Sequence, residues 1–352
     1  MKLEDIARES RATHKGDKSG VPIVGLEHLV PQEIKFTGYD VDTENTFTKA
    51  FKKGQILFGR RRAYLKKAAI ADFDGICSGD ITVIEAIPGK VEPLLLPFII
   101  QNDKFFDYAV SRSAGGLSPR VKWEHLKDYE LDLPPIDEQR ILADKLWAAY
   151  RLKESYKKLL TATQEMVKSQ FIEMFGNQNT NDKQWTESLV KDEFKLSMGK
   201  TPARSNPECW ENGTHKWISI SDMATYTRYT CDTSEYITDY AITDSGIKVV
   251  PKGTIIMSFK LSIGRTAITS EDIYTNEAIM AFADFDEKKF NIDFLHFLIA
   301  NKNWLLGAKQ AVKGQTLNKE SIGNAKIIIP PIEMQEEFAS IYNQADKSEY
   351  YN

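Results

Sequence analysis

The chain repeats itself, and this constrains its fold more than any other feature. LPPIDEQ at Leu133–Gln139 recurs as IPPIEMQ at Ile329–Gln335, 196 residues later. Upstream, GGLSPRVKWEHL, ending at Leu126, matches KGQTLNKESI, ending at Ile322, at the same offset. KGQILF from Lys53 matches KGTIIM from Lys252, and KKAAIADFDGICSGDITVI matches GRTAITSEDIYTNEAIMAF. VPIVGLEHL from Val21 parallels HKWISISDM from His215. The order is the same in both halves and the offsets stay within 194 to 199. Chance rarely preserves both, so the chain reads as two copies of one module.

Each copy opens with short β-rich segments, in the first copy Ile23 to Leu26, Gln55 to Phe58, Ala68 to Ala71 and Ile81 to Ile84. A helical stretch follows, Leu94 to Ser113 in one copy and Ile292 to Ala311 in the other, then a Gly-containing loop and a short strand stopped by Pro-Pro. After the first Pro-Pro, Asp137 and Glu138 mark a helix N-terminus and Gly176 its stop. Apolar residues recur between them at three-to-four spacing: Ile141, Leu142, Leu146, Leu152, Tyr156, Leu159, Leu160, Met166, Val167, Phe171 and Met174. Some 38 residues at ~1.5 Å each predict a rod of ~57 Å. A rod with so broad an apolar stripe needs a partner helix, most simply in an antiparallel coiled coil. Leu142, Leu146, Tyr156, Leu159, Leu160, Met166, Val167 and Met174 are the expected pairing or subunit-docking positions.

The expected fold is therefore α+β with pseudo-twofold symmetry. Two repeated β-rich domains, 1–135 and 185–332, are separated by a central long helix, 136–175, and a polar linker, 176–184, with a distal helix at 333–352. The offset would carry that distal helix to 371, so the sequence stops 19 residues short of a full counterpart at Asn352. The stripe from Leu159 to Met174 is then expected to lack an intrachain partner, and self-association or cover by another subunit follows from that.

The net charge of −4 excludes a wholesale polycation, so any nucleic-acid binding must come from local patches. One patch stands out. AFKKGQILFGRRRAYLKKAAI, from Ala50, carries Lys52, Lys53, Arg60, Arg61, Arg62, Lys66 and Lys67 without an acid before Asp72. The matching segment of the second copy, Pro251 to Ala267, has Lys252, Lys260 and Arg265 and again no acid. A duplicated acid-free loop on a net-negative chain points to phosphate contact rather than to a solvated rim.

Catalytic signatures are missing. No Asn/Asp-Pro-Pro-aromatic methyltransferase motif occurs, since both Pro-Pro pairs are followed by isoleucine, Ile136 and Ile332. Gly199–Thr201 reads GKT, but a phosphate-binding loop needs glycine where Phe194 stands. His14, His28, His125, His215 and His296 are scattered, and Cys77, Cys209 and Cys231 show no metal or disulfide spacing. MKLEDIARES is no signal peptide, and LLLPFII at Leu94–Ile100 is too short to span a bilayer, so a cytoplasmic location without membrane contact is expected.

Two variable modules, each closed by a (L/I)PPI-(D/E)-x-Q junction leading into a helix, resemble the specificity subunit of Type I restriction-modification systems. The G-x-(S/T) loops (Gly116–Ser118 and Gly314–Thr316), KLSMGKTP ahead of Asn206, and SFKLSIGRTAI at Ser258–Ile268 carry the same resemblance. It covers almost the entire chain. The resemblance implies a non-catalytic DNA-reading adaptor. Each module would read one half of a split, asymmetric site, and the helices would set the spacing and dock two modification subunits. This chain would bind no cofactor of its own. S-adenosylmethionine, ATP and Mg2+ would be used by the modification and restriction subunits. DNA contact is expected from Arg60, Arg61, Arg62, Lys66, Lys67, Arg120 and Lys122 in the first module, and from Lys260, Ser262, Arg265, Lys313, Gln315 and Thr316 in the second. The reading from another class is a protein–protein scaffold whose basic loops are incidental.

Overall fold

A computed structural model describes residues 1–36, 38–260, 262–306, 310–311, 314–315 and 317–347. The chain divides into two compact units, Met1–Tyr156 and Lys157–Asn352. The division falls inside the long helix, which contributes one end to each.

The first unit contains β1 (Ala7–Glu9), β2 (Ile23–Val24), β3 (Lys49–Phe51), β4 (Ile56–Gly59), β5 (Ala68–Ile70), β6 (Gly75–Cys77) and β7 (Ile81–Ala86). Its helices are α1 (Leu96–Ile100), α2 (Asp103–Ser111), α3 (Trp123–Leu126) and the start of α4 (Ile136–Phe175). The main sheet runs β1-β7-β4-β5, all antiparallel, with Ile56 opposite both Ile84 and Ile70. A smaller sheet runs β2-β6-β3, its first pair parallel. Alternation along β4 explains why its run ILF shows no polar break. Ile56 and Phe58 point into a core with Ile84, Phe105 and Phe106, while Leu57 points the other way among Val24, Cys77 and Val83. A strand covered on both faces reads as continuously apolar. The helical stretch expected from Leu94 to Ser113 is broken at Asn102, whose side chain accepts from the Lys104 amide and so starts α2 afresh.

The second unit begins with the end of α4 and continues through β8 (Thr186–Leu189), α5 (Val190–Glu193), β9 (Lys195–Met198), β10 (His215–Ile218), β11 (Glu235–Ile237) and α6 (Asp239–Ser245). Then come β12 (Ile255–Ser258), β13 (Thr266–Ile268), β14 (Tyr274–Thr275), β15 (Ile279–Ala283), α7 (Ile292–Ala300), β16 (Gln310–Ala311), β17 (Gly314–Gln315), α8 (Lys319–Gly323), β18 (Lys326–Ile329) and α9 (Ile332–Lys347). Its main sheet, β9-β15-β12-β13, has the order and register of the first, with Ile255 opposite both Phe282 and Ile268. The parallel β10–β14 pair corresponds to β2–β6. The copies differ at the third strand of the small sheet: β11 pairs with β10, whereas β3 pairs with β6. Helix α7 stops at Ala300, well before the expected Ala311. Asn301 leaves helical geometry and its side-chain amide donates back to the Phe297 carbonyl at 2.9 Å.

The glutamine of each Pro-Pro junction explains the motif. Gln139 is buried, accepts from the Glu92 amide at 3.0 Å and donates to the Pro134 carbonyl at 2.8 Å. Gln335 is completely buried, accepts from the Asn291 amide at 3.0 Å and donates to the carbonyls of Lys289 and Pro330. In both copies the side chain ties the first helical turn to the loop that precedes the module's earlier helix. The Pro-Pro-Ile-x-x-Gln pattern is thus a structural lock.

Helix α4 has 40 residues, about 60 Å at ~1.5 Å each, and ends where Gly176 takes φ +73°. In the first unit Trp147 and Tyr150 are buried with Ile34, and the Trp147 indole donates to the Leu94 carbonyl at 2.8 Å. Leu142 and Leu146 line a groove there with Phe98 and Ile99. In the second unit Val167, Phe171 and Phe175 enter the main core beside Phe294, Phe297 and Phe338, with Met174 packed against it. This corrects the expectation that the whole stripe to Met174 lacks a partner. The reason is helical phase: 167, 171 and 175 lie on one face, toward the module's own core. Leu152, Tyr156, Leu159 and Met166 lie on another and are 57%, 46%, 58% and 50% exposed. Leu160 is half-buried. Phe171 meets Phe338 with ring centroids 5.3 Å apart, while Thr163 and Val167 share a cleft with Tyr342 and Asp346. Numbers rise along α4 as they fall along α9, so the two run antiparallel, as expected.

A buried cation fastens α9 within this unit. Arg228, 2% exposed, pairs with Asp293 of α7 and with Asp346 of α9 at 3.1 Å, and stacks 4.1 Å from the Tyr342 ring. Asn343 donates to Asp293 at 2.8 Å. Among the described residues no helix is long and apolar enough to cross a membrane.

Candidate nucleic-acid interface

In the first unit the cationic segment leaves β4 at Gly59 and turns through a short 3-10 helix, Ala63–Leu65. Arg62 and Lys66 flank that turn with φ of +54° and +51°. Two non-glycine residues in left-handed geometry cost backbone energy that the surroundings must offset. The Arg62 amide donates to the Pro119 carbonyl at 2.8 Å, and the Val121 amide donates to the Arg60 carbonyl at 3.0 Å. The G-x-S loop is thereby laid against the arginines. Ala114 and Arg120 close its base by exchanging backbone hydrogen bonds, and Leu117 stands 97% exposed at its tip.

The acid missing from the local sequence arrives from the loop before β7. Asp80 receives the Arg120 guanidinium at 2.7 Å and 3.2 Å and faces Arg61 at 3.5 Å. The Arg120 hydrogen bond holds its carboxyl below the usual range against the opposing effect of burial. Ser118 accepts from Arg61 at 3.0 Å and from Arg62 at 3.4 Å. Arg60, Arg120, Lys49 and Asp80 line an open cleft of about 700 Å³ with Thr46, Phe47, Thr48, Ser78 and Gly79. Lys49 donates to the Ile81 carbonyl at 2.6 Å, and burial pushes its pKa down.

Arg60, Arg61, Arg62 and Arg120 are therefore brought together. Lys66 is half-buried and paired with Asp103, and Lys67 donates to the Leu26 carbonyl at 2.8 Å, so both turn to other partners. Lys122 is exposed one residue before α3.

The second unit places Lys260 and Arg265, both exposed, and half-buried Ser262 in the turn between β12 and β13. Ser258 closes the turn: its amide donates to the Arg265 carbonyl at 2.8 Å and its hydroxyl to the Ser262 carbonyl. The GKT segment packs against β14, where the Lys200 amide donates to the Thr275 carbonyl at 2.9 Å. A Cβ at Gly199 would lie 1.8 Å from the Thr275 carbonyl oxygen, so glycine is required there by close packing, not by a phosphate. Thr201 donates to Glu277, and Lys260 and Arg204 help hold that carboxyl below its usual range, after the Thr201 bond. Arg204 stacks 4.1 Å from Trp210 and 4.7 Å from Trp217 and pairs with Glu235. Lys313 and Thr316 lie outside the described residues, as does the Gln315 side chain.

Asp80, Arg204 and Glu277 escape a reading of the sequence, which marks the Gly116–Ser118 loop but not that Ser118 binds the arginines. Each joins its site from a segment remote in sequence, and only the exact register of β7 or β15 would have revealed the two acids.

A family model described as "Type I restriction modification DNA specificity domain" matches residues 2–162 and 182–350. The MjaIX Type I specificity subunit of Methanocaldococcus jannaschii is 26% identical over 168 residues, which covers 47% of this chain but only 38% of that protein. The putative MjaX specificity subunit of the same organism is 22% identical over 365 residues, covering 96% of this chain and 83% of that one. The crystal structure of a Type I restriction-modification S subunit from M. genitalium shares the fold with a TM-score of 0.58 at 12% identity, over 100% of this chain and 90% of that one.

Proposed function

Because the chain belongs to the Type I restriction modification DNA specificity family, we propose that it is the DNA-reading, non-catalytic subunit of such a system. Each unit reads one half of a bipartite, asymmetric site in double-stranded DNA. The observation that supports this most is the duplicated cationic turn at the equivalent place in each unit's main sheet, Arg60–Arg62 after β4 and Lys260–Arg265 after β12. Arg62 and Lys260 are exposed and fit phosphate contact, which fixes register without reading sequence. The cleft lined by Arg60 and Lys49 offers donors suited to the acceptors on base edges, with Asp80 holding the neighbouring guanidinium groups in place. The two units differ in sequence, so the half-sites differ.

A helix of about 60 Å matches the scale of half-sites one turn of B-DNA or more apart, ~34 Å. The exposed stripe of Leu152, Tyr156, Leu159 and Met166 is the surface on which modification subunits dock or a second copy associates. Methyl transfer from S-adenosylmethionine, and ATP- and Mg2+-dependent steps, belong to the other subunits, in a cytoplasmic complex.

Fluorescence anisotropy of the full chain on a labelled duplex, titrated with salt, tests the reading. DNA binding carried by phosphate contacts weakens linearly on a log–log plot, by ~0.9 per contact. Binding to peptides or subunits alone, the scaffold reading, leaves no duplex affinity to titrate.

A further inference from the structure

The two units each carry one carboxylate in the loop that enters the fourth strand of the pattern, Asp80 immediately before β7 and Glu277 two residues before β15. The registers Ile56↔Ile84 and Ile255↔Phe282 make those loops equivalent, and both sit beside the cationic turn. A carboxylate on a face that meets DNA repels phosphate, so the presence of one in each loop, at positions one residue apart in the register, calls for a purpose.

The two acids are held differently. Asp80 has a side chain 20% exposed, takes two hydrogen bonds from Arg120 and faces Arg61. Its acceptor capacity is spent on positioning guanidinium groups. Glu277 is exposed, and among the described residues it forms no ion pair. Thr201 donates to Oε2 and steers the group, and among the described residues no side chain donates to Oε1. Of the two cations whose charge acts on it, Lys260 forms no ion pair with it and Arg204 is already paired with Glu235 and stacked on two indoles. An ionised carboxylate is an acceptor only, and in the major groove the groups that donate are the exocyclic amines, N4 of cytosine and N6 of adenine.

We infer that Glu277 is a specificity-determining residue of the second unit, accepting a hydrogen bond from the exocyclic amino group of one base in its half-site, whereas Asp80 only braces Arg61 and Arg120. This rests on the DNA-reading function proposed above.

The test is selection of bound duplexes from a randomised pool by the full chain, compared with Glu277→Gln and Asp80→Asn. Glutamine keeps the size and can still accept from Thr201. At one position of one half-site Glu277→Gln should lower the preference for cytosine or adenine by about fivefold or more, with the other half-site unchanged. Asp80→Asn should alter affinity without changing any base preference. The unmodified chain gives a check independent of variant folding. Replacing the selected cytosine by 2-pyrimidinone, or the selected adenine by purine, removes only the amino group and should cost a similar factor. Unchanged preferences with Glu277→Gln, or indifference to the missing amino group, would leave Glu277 as a tie for residues 199–206 and overturn the inference while sparing DNA reading. If the unmodified chain selects no sequence at all, the reading itself fails and the inference with it.

Discussion

Asp80 removes one unit of charge from the cationic face around it, yet it holds the guanidinium groups of Arg61 and Arg120 in place. Charge and geometry therefore make separable contributions. Replacing Arg60, Arg61 and Arg62 with alanine should reduce the salt slope of duplex binding by about 0.9, one phosphate contact's worth, because Arg61 is shared with Asp80 and Arg60 lines the base-reading cleft. The same variant should melt within a degree or two of the unmodified chain, since exposed ion pairs add little stability. Salt-titrated anisotropy and a melting curve measure both. Inside the second unit His296 is buried, its ring nitrogens meeting Thr266 at 3.2 Å and Tyr342 at 3.1 Å. Burial first, then Arg228, lowers its pKa to about 4. The unfolded chain takes up that proton near 6.5, so stability is lost as pH falls from about 6.5 to about 4 and this loss saturates below. The expected loss is about 3 kcal/mol, and His296→Gln should flatten denaturant-derived stability across that window. The arginine triplet was legible because seven cations without an acid are a local property of the sequence. Their partner was not, because Asp80 reaches them only through the antiparallel pairing of β4 with β7.

Strands and helices were legible where their periodicity is strong. The repeated sheet, the 40-residue helix and the Gly176 stop all follow from apolar spacing and turn chemistry. What escaped depends on capping and phase. Asn301 ends α7 by bonding to its own helix, and no pattern of apolar residues announces that. The stripe along α4 looked continuous in sequence, but a difference in helical phase of about 80–100° divides it into Val167, Phe171 and Phe175, buried, and Leu159 and Met166, exposed. The Arg228 clamp was invisible for a similar reason, since its three members come from 228, 293 and 346. Arg228→Ala leaves the half-buried Asp293 and Asp346 without their buried cation and should destabilise the second unit by roughly 3 kcal/mol. Calorimetry should show that loss, and hydrogen exchange should show α9 deprotected first. Gln335→Leu should lower the melting temperature as well, because the Asn291 amide and two carbonyls lose their partner at about 1–3 kcal/mol for each group left unsatisfied.

At the scale of the whole molecule, duplication with divergence is the feature that connects fold to function. Two sheets with the same strand order present the same cationic turn, but the side chains around each turn differ: Asp80 is consumed by arginines and Glu277 is not. Two readers of one architecture and different chemistry should specify two unlike half-sites, and if α4 is the ruler proposed above, its length should set the gap between them. The most direct test is methylation mapping by long-read sequencing in cells that express this chain with a modification subunit. It should be run for the unmodified chain and for a chimera whose residues 1–135 come from a relative. The account predicts a split, asymmetric motif in which the chimera changes one half and leaves the other half and the spacer length untouched. A single contiguous motif, or a chimera that changes both halves together, would contradict it.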